Sequence, residues 1–327
     1  MRHRLAALTV VPLLLLGVAA CGEDDPSAGT DQASDQASDQ AGDEPIAGVE
    51  VSGEFGQEPQ VEIEPPLEVT ESQTQVIETG EGGPVVQGEQ ALLHLVLYNG
   101  TSGERAAATY DQGQPTAITL SQEEIFPSIV EALDGVPAGS RIAVAAVPED
   151  AFGTAGNPQL QIGPEDPVLF VVDVLAAQPT DVLEEPEGEA ADLPEDIPVV
   201  EEEGGNVTML DFSGTPKQPS DKLQVITLIE GTGPPARDES LVTFDYFGQV
   251  YDTDMVFDES FSKEPVTFPL GVGGLIAGWD EGLVDVKEGS RVMLIVPPDL
   301  GYGEQGQPPD IPGNATLTFV IDILGVD

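Results

Sequence analysis

The chain has 327 residues, of which 60 are acidic and 10 basic, for a net charge of −50. A field of that sign repels phosphate backbones, which excludes a nucleic-acid partner. The 40% hydrophobic content supports cored domains, and the length suits two of them plus tethers. The 37 glycines and 29 prolines favour strands and turns over long helices. Cys21 is the one cysteine, so an intramolecular disulfide is ruled out. His3 and His94 are the two histidines, and no metal or other cofactor is expected.

Residues 1–20 read as a signal peptide. Arg2, His3 and Arg4 form a short basic region, and Leu5 to Ala20 is a largely apolar run of 16 residues. A membrane span needs roughly 20. The run ends Val18-Ala19-Ala20-Cys21-Gly22, which resembles a bacterial lipobox. That resemblance implies lipidation of Cys21 and a cell-membrane location, anchored on the extracytoplasmic face. Residues 21–45 follow as an acidic tether in which Asp31-Gln32-Ala33-Ser34 recurs as Asp35-Gln36-Ala37-Ser38. Such a segment has nothing to bury and is expected to be disordered.

Residues 46–178 and 206–327 read as two domains, joined by an acidic linker over 179–205 with 11 acidic residues and no basic ones. The two domains read as repeats. Leu95 to Gly100 parallels Thr243 to Gly248, Val136 to Arg141 parallels Val286 to Arg291, and Val168 to Asp173 parallels Leu317 to Asp322. The near-constant displacements of 148, 150 and 149 positions indicate a duplicated domain.

Within each copy, β-branched and aromatic runs bounded by Gly and Pro predict strands, among them 241–250, 291–296 and 315–323. One short helical pattern stands out in each copy, over 123–133 and 273–284. Leu275, Ile276, Trp279 and Leu283 share one helical face. The expected class is α+β, a sheet with one short helix against its concave side.

The second copy carries six ordered pieces: Tyr246-Phe247-Gly248; Val256-Phe257-Asp258; Pro265 to Gly271; Leu275 to Leu283; Gly301-Tyr302-Gly303; and Ile311 to Phe319. Together they resemble the FKBP-type peptidyl-prolyl isomerases over essentially all of 224–327. The resemblance implies two FKBP-like domains, each a twisted antiparallel sheet wrapped around one short α-helix. It implies an aromatic pocket in which Trp279 is the floor and Phe268, Val266, Leu275 and Phe319 are walls. Phe257 and Ile311 belong to the same pocket. The Ile276 N–H and the Tyr302 hydroxyl would hold substrate carbonyls. Asp258, as a buried acid, would orient Tyr246 and polarise the bound amide. Lys263 is the candidate basic partner of Asp258. Gln307 and Asp310 stand in a loop where the family often carries other residues.

These residue types suit rotation about an X–Pro bond. That rotation has a barrier of about 18–20 kcal/mol and takes roughly tens to hundreds of seconds unaided. No bond is broken, so no nucleophile is needed. The twisted amide has lost its resonance, and its carbonyl is less polar than in the planar form. A water-excluding apolar pocket therefore favours the twisted form. A thousandfold acceleration needs only about 4 kcal/mol. The implied partners are proline-containing unfolded or exported polypeptides, with a macrolide such as rapamycin as a candidate ligand and a monomer as the expected state.

In the first copy, Tyr98 and Asp111 read as persisting site residues and Phe170 as the match to Phe319. Tyr110 stands for Phe257, Phe152 for Tyr302, and Ile129 for Trp279, with Pro127 and Ser128 in place of Ala277 and Gly278. This copy is expected to fold alike and to isomerise poorly, binding chain segments or acting as a spacer. The alternative reading of the whole protein is a non-catalytic chaperone or peptide-binding lipoprotein.

Overall fold

The computed structural model describes residues 44–327, so the signal segment, Cys21 and the tether up to residue 43 lie outside the described residues. Two antiparallel sheets carry the chain. The first domain runs β1 (Val49–Ser52), β2 (Gln60–Ile63), β3 (Gln73–Glu78), β4 (Gln90–Asn99), β5 (Arg105–Ala108), β6 (Thr116–Thr119), α1 (Pro127–Leu133), β7 (Arg141–Ala146) and β8 (Val168–Ala177). Its main sheet has the order β3-β7-β8-β4-β5, with β6 also on β4. Next come β9 (Gly188–Ala190), β10 (Val199–Glu203), β11 (Asn206–Asp211), β12 (Gln224–Gly231), β13 (Leu241–Val250), β14 (Val256–Glu259), β15 (Val266–Pro269), α2 (Ala277–Gly282), β16 (Arg291–Val296) and β17 (Leu317–Val326). The second sheet has the order β14-β13-β17-β16-β12-β9, with β15 also on β13.

Both helices are shorter than the apolar periodicity suggests. The stretches 123–126 and 273–276 turn instead, and Phe126 and Ile276 are the extended residues from which α1 and α2 start. Gly273 and Gly274 disfavour an earlier start in the second copy, and Gly273 has φ +74°.

The central strands are buried on both faces, which explains their near-continuous apolar runs. In β4, Leu93, Leu95 and Leu97 face α1, while Val96 and Tyr98 face the β1–β2 hairpin. In β13, Val242, Phe244 and Val250 belong to the core beside α2, while Phe247 faces the β10–β11 hairpin. Each domain is thus a sheet between one short helix and one two-stranded hairpin.

Under each hairpin lies a buried ion pair made by register partners on adjacent strands. Arg141 faces Asp173 with Nε–Oδ1 2.5 Å and Nη2–Oδ2 2.6 Å. Arg291 faces Asp322 at 2.5 and 2.6 Å. The spare guanidinium donors of Arg141 go to hairpin carbonyls of Gly53, Glu54 and Gln57. Arg291 pairs with the Glu202 side chain of β10.

The stretch 179–205, expected as a plain linker, is laid against the second domain and contributes strands. β9 adds to the edge of β12, and β10 pairs with β11. The Leu183 N–H donates to the Leu324 carbonyl at 2.8 Å, and Ile197 and Val200 pack into the core under the hairpin. The apolar residues spaced among its acids hold it down, and charge counting passed over them. The domains also touch directly. Leu92 and Ala176 of the first form one apolar cluster with Leu241 of the second.

Candidate functional site

Four strands and the α2 turn converge on a cavity of about 600 Å³ in the second domain. β13 supplies Phe244 and Tyr246, two residues apart and therefore on one face. β14 supplies Phe257 and Asp258, β15 Phe268, and β17 Phe319. Leu275 and Ile276 enter just before α2, and Trp279 lies in its first turn. Tyr302 follows a 3-10 turn over Pro298–Leu300, and Ile311 closes the wall.

Trp279 is 5% exposed and lies at the centre of an edge-to-face set. Its ring centroid is 5.0 Å from Phe244, 5.4 Å from Tyr246 and 5.1 Å from Phe319, at interplanar angles of 70–85°. Such pairs contribute about 0.5–1.5 kcal/mol each beyond area burial. The Trp279 indole N–H is buried with no acceptor among the described residues. Phe268 and Tyr302 stand at the mouth, 41% and 37% exposed.

Glycines let these parts come close. A Cβ on Gly248 would stand 2.6 Å from the Phe257 ring and 3.2 Å from Phe319. A Cβ on Gly278 would stand 2.5 Å from Val296. Asp280 accepts from the Gly271 N–H at 2.9 Å and the Gly273 N–H at 3.2 Å, which ties the approach loop to α2.

The polar edge is one contact. The Tyr246 hydroxyl donates to Asp258 Oδ2 at 2.5 Å. Burial, then this carboxylate, pushes the Tyr246 phenol well above its ordinary range. Burial raises Tyr302 in the same direction, with the Asp258 charge adding to it. Asp258 itself is not the buried acid expected from the sequence. Its side chain is 54% exposed, because β14 is an edge strand and the carboxylate sits at the solvent side of the cavity. Lys263 Nζ is 4.0 Å from Asp258 Oδ1 and donates to the Glu259 carbonyl at 2.8 Å.

The structure brings together Tyr246, Phe257, Asp258, Phe268, Leu275, Ile276, Trp279, Tyr302, Ile311 and Phe319 around this cavity. Val266 is the exception. It pairs in register with Phe244, whose ring forms the wall, and its short side chain packs into the core outside the cavity. Phe244 is the residue that sequence reading missed. Its alternation with Tyr246 along β13 is the signal that could have found it. Pro308 also lines the cavity, beside Gln307 and Asp310.

Strand register corrects the reading of the first copy. Tyr246 pairs with Ile321, and Leu95 pairs with Val172 at the matching place, so Leu95 and not Tyr98 is the equivalent of Tyr246. Gly248 pairs with Asp258, and Leu97 with Ala107. The equivalents of Phe257 and Asp258 are therefore Ala106 and Ala107. Tyr98 is buried under the β1–β2 hairpin. Tyr110 donates to Asp173 Oδ2 at 2.9 Å, on the hairpin side, and Asp111 is an exposed partner of Arg105. Ile129 and Phe152 do stand at the Trp279 and Tyr302 positions, and the first copy keeps a smaller cavity of about 360 Å³.

Among the described residues, no three His, Cys, Asp or Glu side chains are placed to hold a metal ion, and no helix is long and apolar enough to cross a membrane.

Known proteins resemble parts of this chain in sequence. The chain is 45% identical over 83 residues to peptidyl-prolyl cis-trans isomerase FKBP2 of Mus musculus, a match that spans 25% of this chain and 59% of that relative. It is 42% identical over 87 residues to FK506-binding protein 1A of Aspergillus fumigatus, spanning 26% of this chain and 77% of the relative. Among solved structures, FkpA from Escherichia coli aligns at 38% identity over 34% of this chain and 51% of that one, with a TM-score of 0.31. The family signature is matched twice, over 83–175 and 233–324, once in each sheet-and-helix unit. With both halves of the duplication matched, the chain belongs to the FKBP-type peptidyl-prolyl cis-trans isomerase family.

Proposed function

We propose that the second domain is a peptidyl-prolyl cis-trans isomerase whose working site is the aromatic cavity around Trp279. The observation that carries this reading is that cavity: about 600 Å³, floored by a buried indole, with one hydrogen-bonded polar edge at Tyr246 and Asp258. Its size suits a proline ring and the residues on either side of it.

The chemistry follows from the lining. A proline side chain over Trp279 replaces water with aromatic edges and faces. The preceding carbonyl, less polar once the amide twists, loses little by leaving water, whereas the planar form loses more. The environment therefore favours the transition state. The Ile276 N–H, which opens α2 and has no protein acceptor among the described residues, and the Tyr302 hydroxyl at the mouth hold the flanking carbonyls. Asp258 keeps the Tyr246 hydroxyl aimed and neutral, and no proton transfer is needed.

The first domain lacks the tyrosine, the carboxylate and the indole at these places, so it does not isomerise. The substrates are proline-containing segments of exported proteins, met at the membrane surface to which lipidated Cys21 tethers the chain. FK506 and related macrolides are candidate ligands of the same cavity. Exchange spectroscopy by NMR tests the activity. Substoichiometric full chain added to an X–Pro tetrapeptide should produce cis–trans exchange peaks, and their absence with folded protein would leave a peptide-binding lipoprotein as the reading. A Cys21→Ser variant that still partitions with membranes would overturn the anchoring.

A further inference from the structure

The first domain keeps a cavity that isomerisation in the second does not use. Its walls include Leu95, Leu97, Ile118, Ile129, Phe152 and Phe170, and its volume is about 360 Å³. The single carboxylate on its lining, Glu124, is already engaged by the Thr119 N–H at 2.7 Å. A cavity of this size, walled mainly by apolar side chains and with its one carboxylate hydrogen-bonded, suits large uncharged side chains.

The two cavities meet at the domain joint. β6 carries Ile118 in the wall of one, and β15 carries Phe268 in the wall of the other. Gln90 pairs with Thr119 at the end of β6, and its side-chain amide donates to the Thr267 carbonyl of β15 at 3.3 Å. On the rims, a Cβ on Gly273 would stand 3.3 Å from the Gln114 amide nitrogen. Gln114 borders the first cavity, and Gly274, the next residue after Gly273, borders the second. Phe268, next to Thr267 on β15 and 41% exposed, adds apolar surface at the mouth of the second cavity.

We propose that the first domain's cavity is an anchoring subsite of the isomerase. It takes an aliphatic or aromatic side chain from the same extended polypeptide whose X–Pro bond occupies the second cavity. The proposal rests on the isomerase reading of the second domain. Continuity of the two rims identifies the occupant as one chain threaded past both. The net charge of −50, with Asp258 and Asp310 on the second cavity's lining, sets its chemistry: the connecting stretch is neutral or basic. Anchoring at one cavity raises the local concentration of the proline at the other, which increases turnover without any new catalytic group.

The test uses the full chain and three kinds of peptide. One is an X–Pro tetrapeptide. The second is a longer peptide with the same X–Pro and one leucine, in a series whose spacer grows by about 3.3 Å per residue. The third replaces that leucine with serine. Burying one large side chain predicts a kcat/KM about tenfold higher for the leucine peptide than for the serine peptide over a limited range of spacers. Ala107→Trp, which fills the first cavity from β5, should abolish that difference and leave tetrapeptide turnover unchanged. Ile118→Lys is the second variant, should the tryptophan disturb folding by near-UV circular dichroism. Equal kcat/KM for leucine and serine peptides at every spacer, or a leucine gain that survives both variants, would overturn the anchoring. A folded wild-type chain that does not turn over the tetrapeptide would instead sink the isomerase reading. In that case fluorescence anisotropy of the leucine and serine peptides decides the subsite, and equal affinities overturn it.

Discussion

The Tyr246 hydroxyl donates to Asp258 Oδ2 at 2.5 Å, across the edge of a cavity otherwise walled mainly by apolar side chains. This contact joins two neighbouring strands, β13 and β14, and fixes where the phenol points. Hydrogen bonds to a charged partner contribute roughly 1.5–3 kcal/mol, and solvent access at Asp258 reduces that. Tyr246→Phe and Asp258→Asn should each lower kcat/KM by about tenfold, and the double variant by little more, since both remove one contact. Additive losses would show that the two residues act separately.

The same contact gives a pH expectation. Burial first, then Asp258, raises the Tyr246 ionisation, so the phenol stays neutral through the range where a free tyrosine begins to titrate. The activity of the wild-type chain should be flat up to about pH 9. In Asp258→Asn the difference-absorbance titration of Tyr246 should move down, toward the ordinary value. An unchanged titration would mean that the carboxylate has no hold on the phenol.

Gly248 and Phe257 form a matched pair, and the first domain shows the alternative. There Leu97 stands at the glycine position and Ala106 at the phenylalanine position. One arrangement puts the bulk on the central strand, the other on the edge strand. Gly248→Leu alone drives its side chain into Phe257 and should cost about 1–3 kcal/mol of stability. Adding Phe257→Ala should restore most of the stability but not the isomerase activity. Chemical denaturation of the single and double variants checks this, and a double variant no more stable than the single would contradict it.

The Arg291–Asp322 pair should be a structural weak point when broken. Removing Asp322 leaves the buried Arg291 guanidinium with Glu202 as its remaining carboxylate, and losing one partner of a buried pair costs up to about 3–5 kcal/mol. Asp322→Ala and, in the first domain, Asp173→Ala should each lower the unfolding midpoint of their own domain markedly in a calorimetric scan. A midpoint within a degree or so of wild type would mean that water reaches the guanidinium.

His94 links the first domain's stability to pH. It is buried on β4, stacks on Tyr110 at 4.1 Å, and lies 2.7 Å from Thr109 Oγ1. Burial depresses its pKa below 6.5, partly opposed by the charges of Glu239 and Asp173. A depressed value contributes stability that is present above the unfolded value and is lost as pH falls through the folded one. The first domain's midpoint should therefore fall as pH drops below about 6.5, more steeply in the wild type than in His94→Gln. Parallel slopes would contradict the assignment.

The C-terminal site was legible because its residues lie in short ordered pieces whose spacing survives in one sequence. Asp258 misled, since an apolar neighbourhood in sequence does not reveal that β14 is an edge strand. In the first copy the β4 equivalences were misread by three residues and those of β5 by four. β4 is apolar on both faces, so alternation could not say which face Tyr98 takes, and only its pairing with β8 does. The segment 179–205 was misjudged because Leu183, Ile197 and Val200 are few among many acids, yet Leu183 finds a backbone partner and the other two an apolar surface. The buried ion pairs were visible as repeated Ser-Arg and Val-Asp or Ile-Asp pieces, but only the β7–β8 and β16–β17 registers join them.

The central claim is that the second domain's cavity isomerises X–Pro bonds and the first domain's does not. The most direct measurement is protease-coupled isomerisation of an X–Pro peptide series by the full chain and by its Asp258→Ala variant, with circular dichroism to show that both are folded. The account predicts rapid isomerisation by the wild type and a loss of about tenfold or more in the variant. Acceleration that is undiminished in a folded Asp258→Ala chain would contradict it, as would a folded wild type that accelerates nothing.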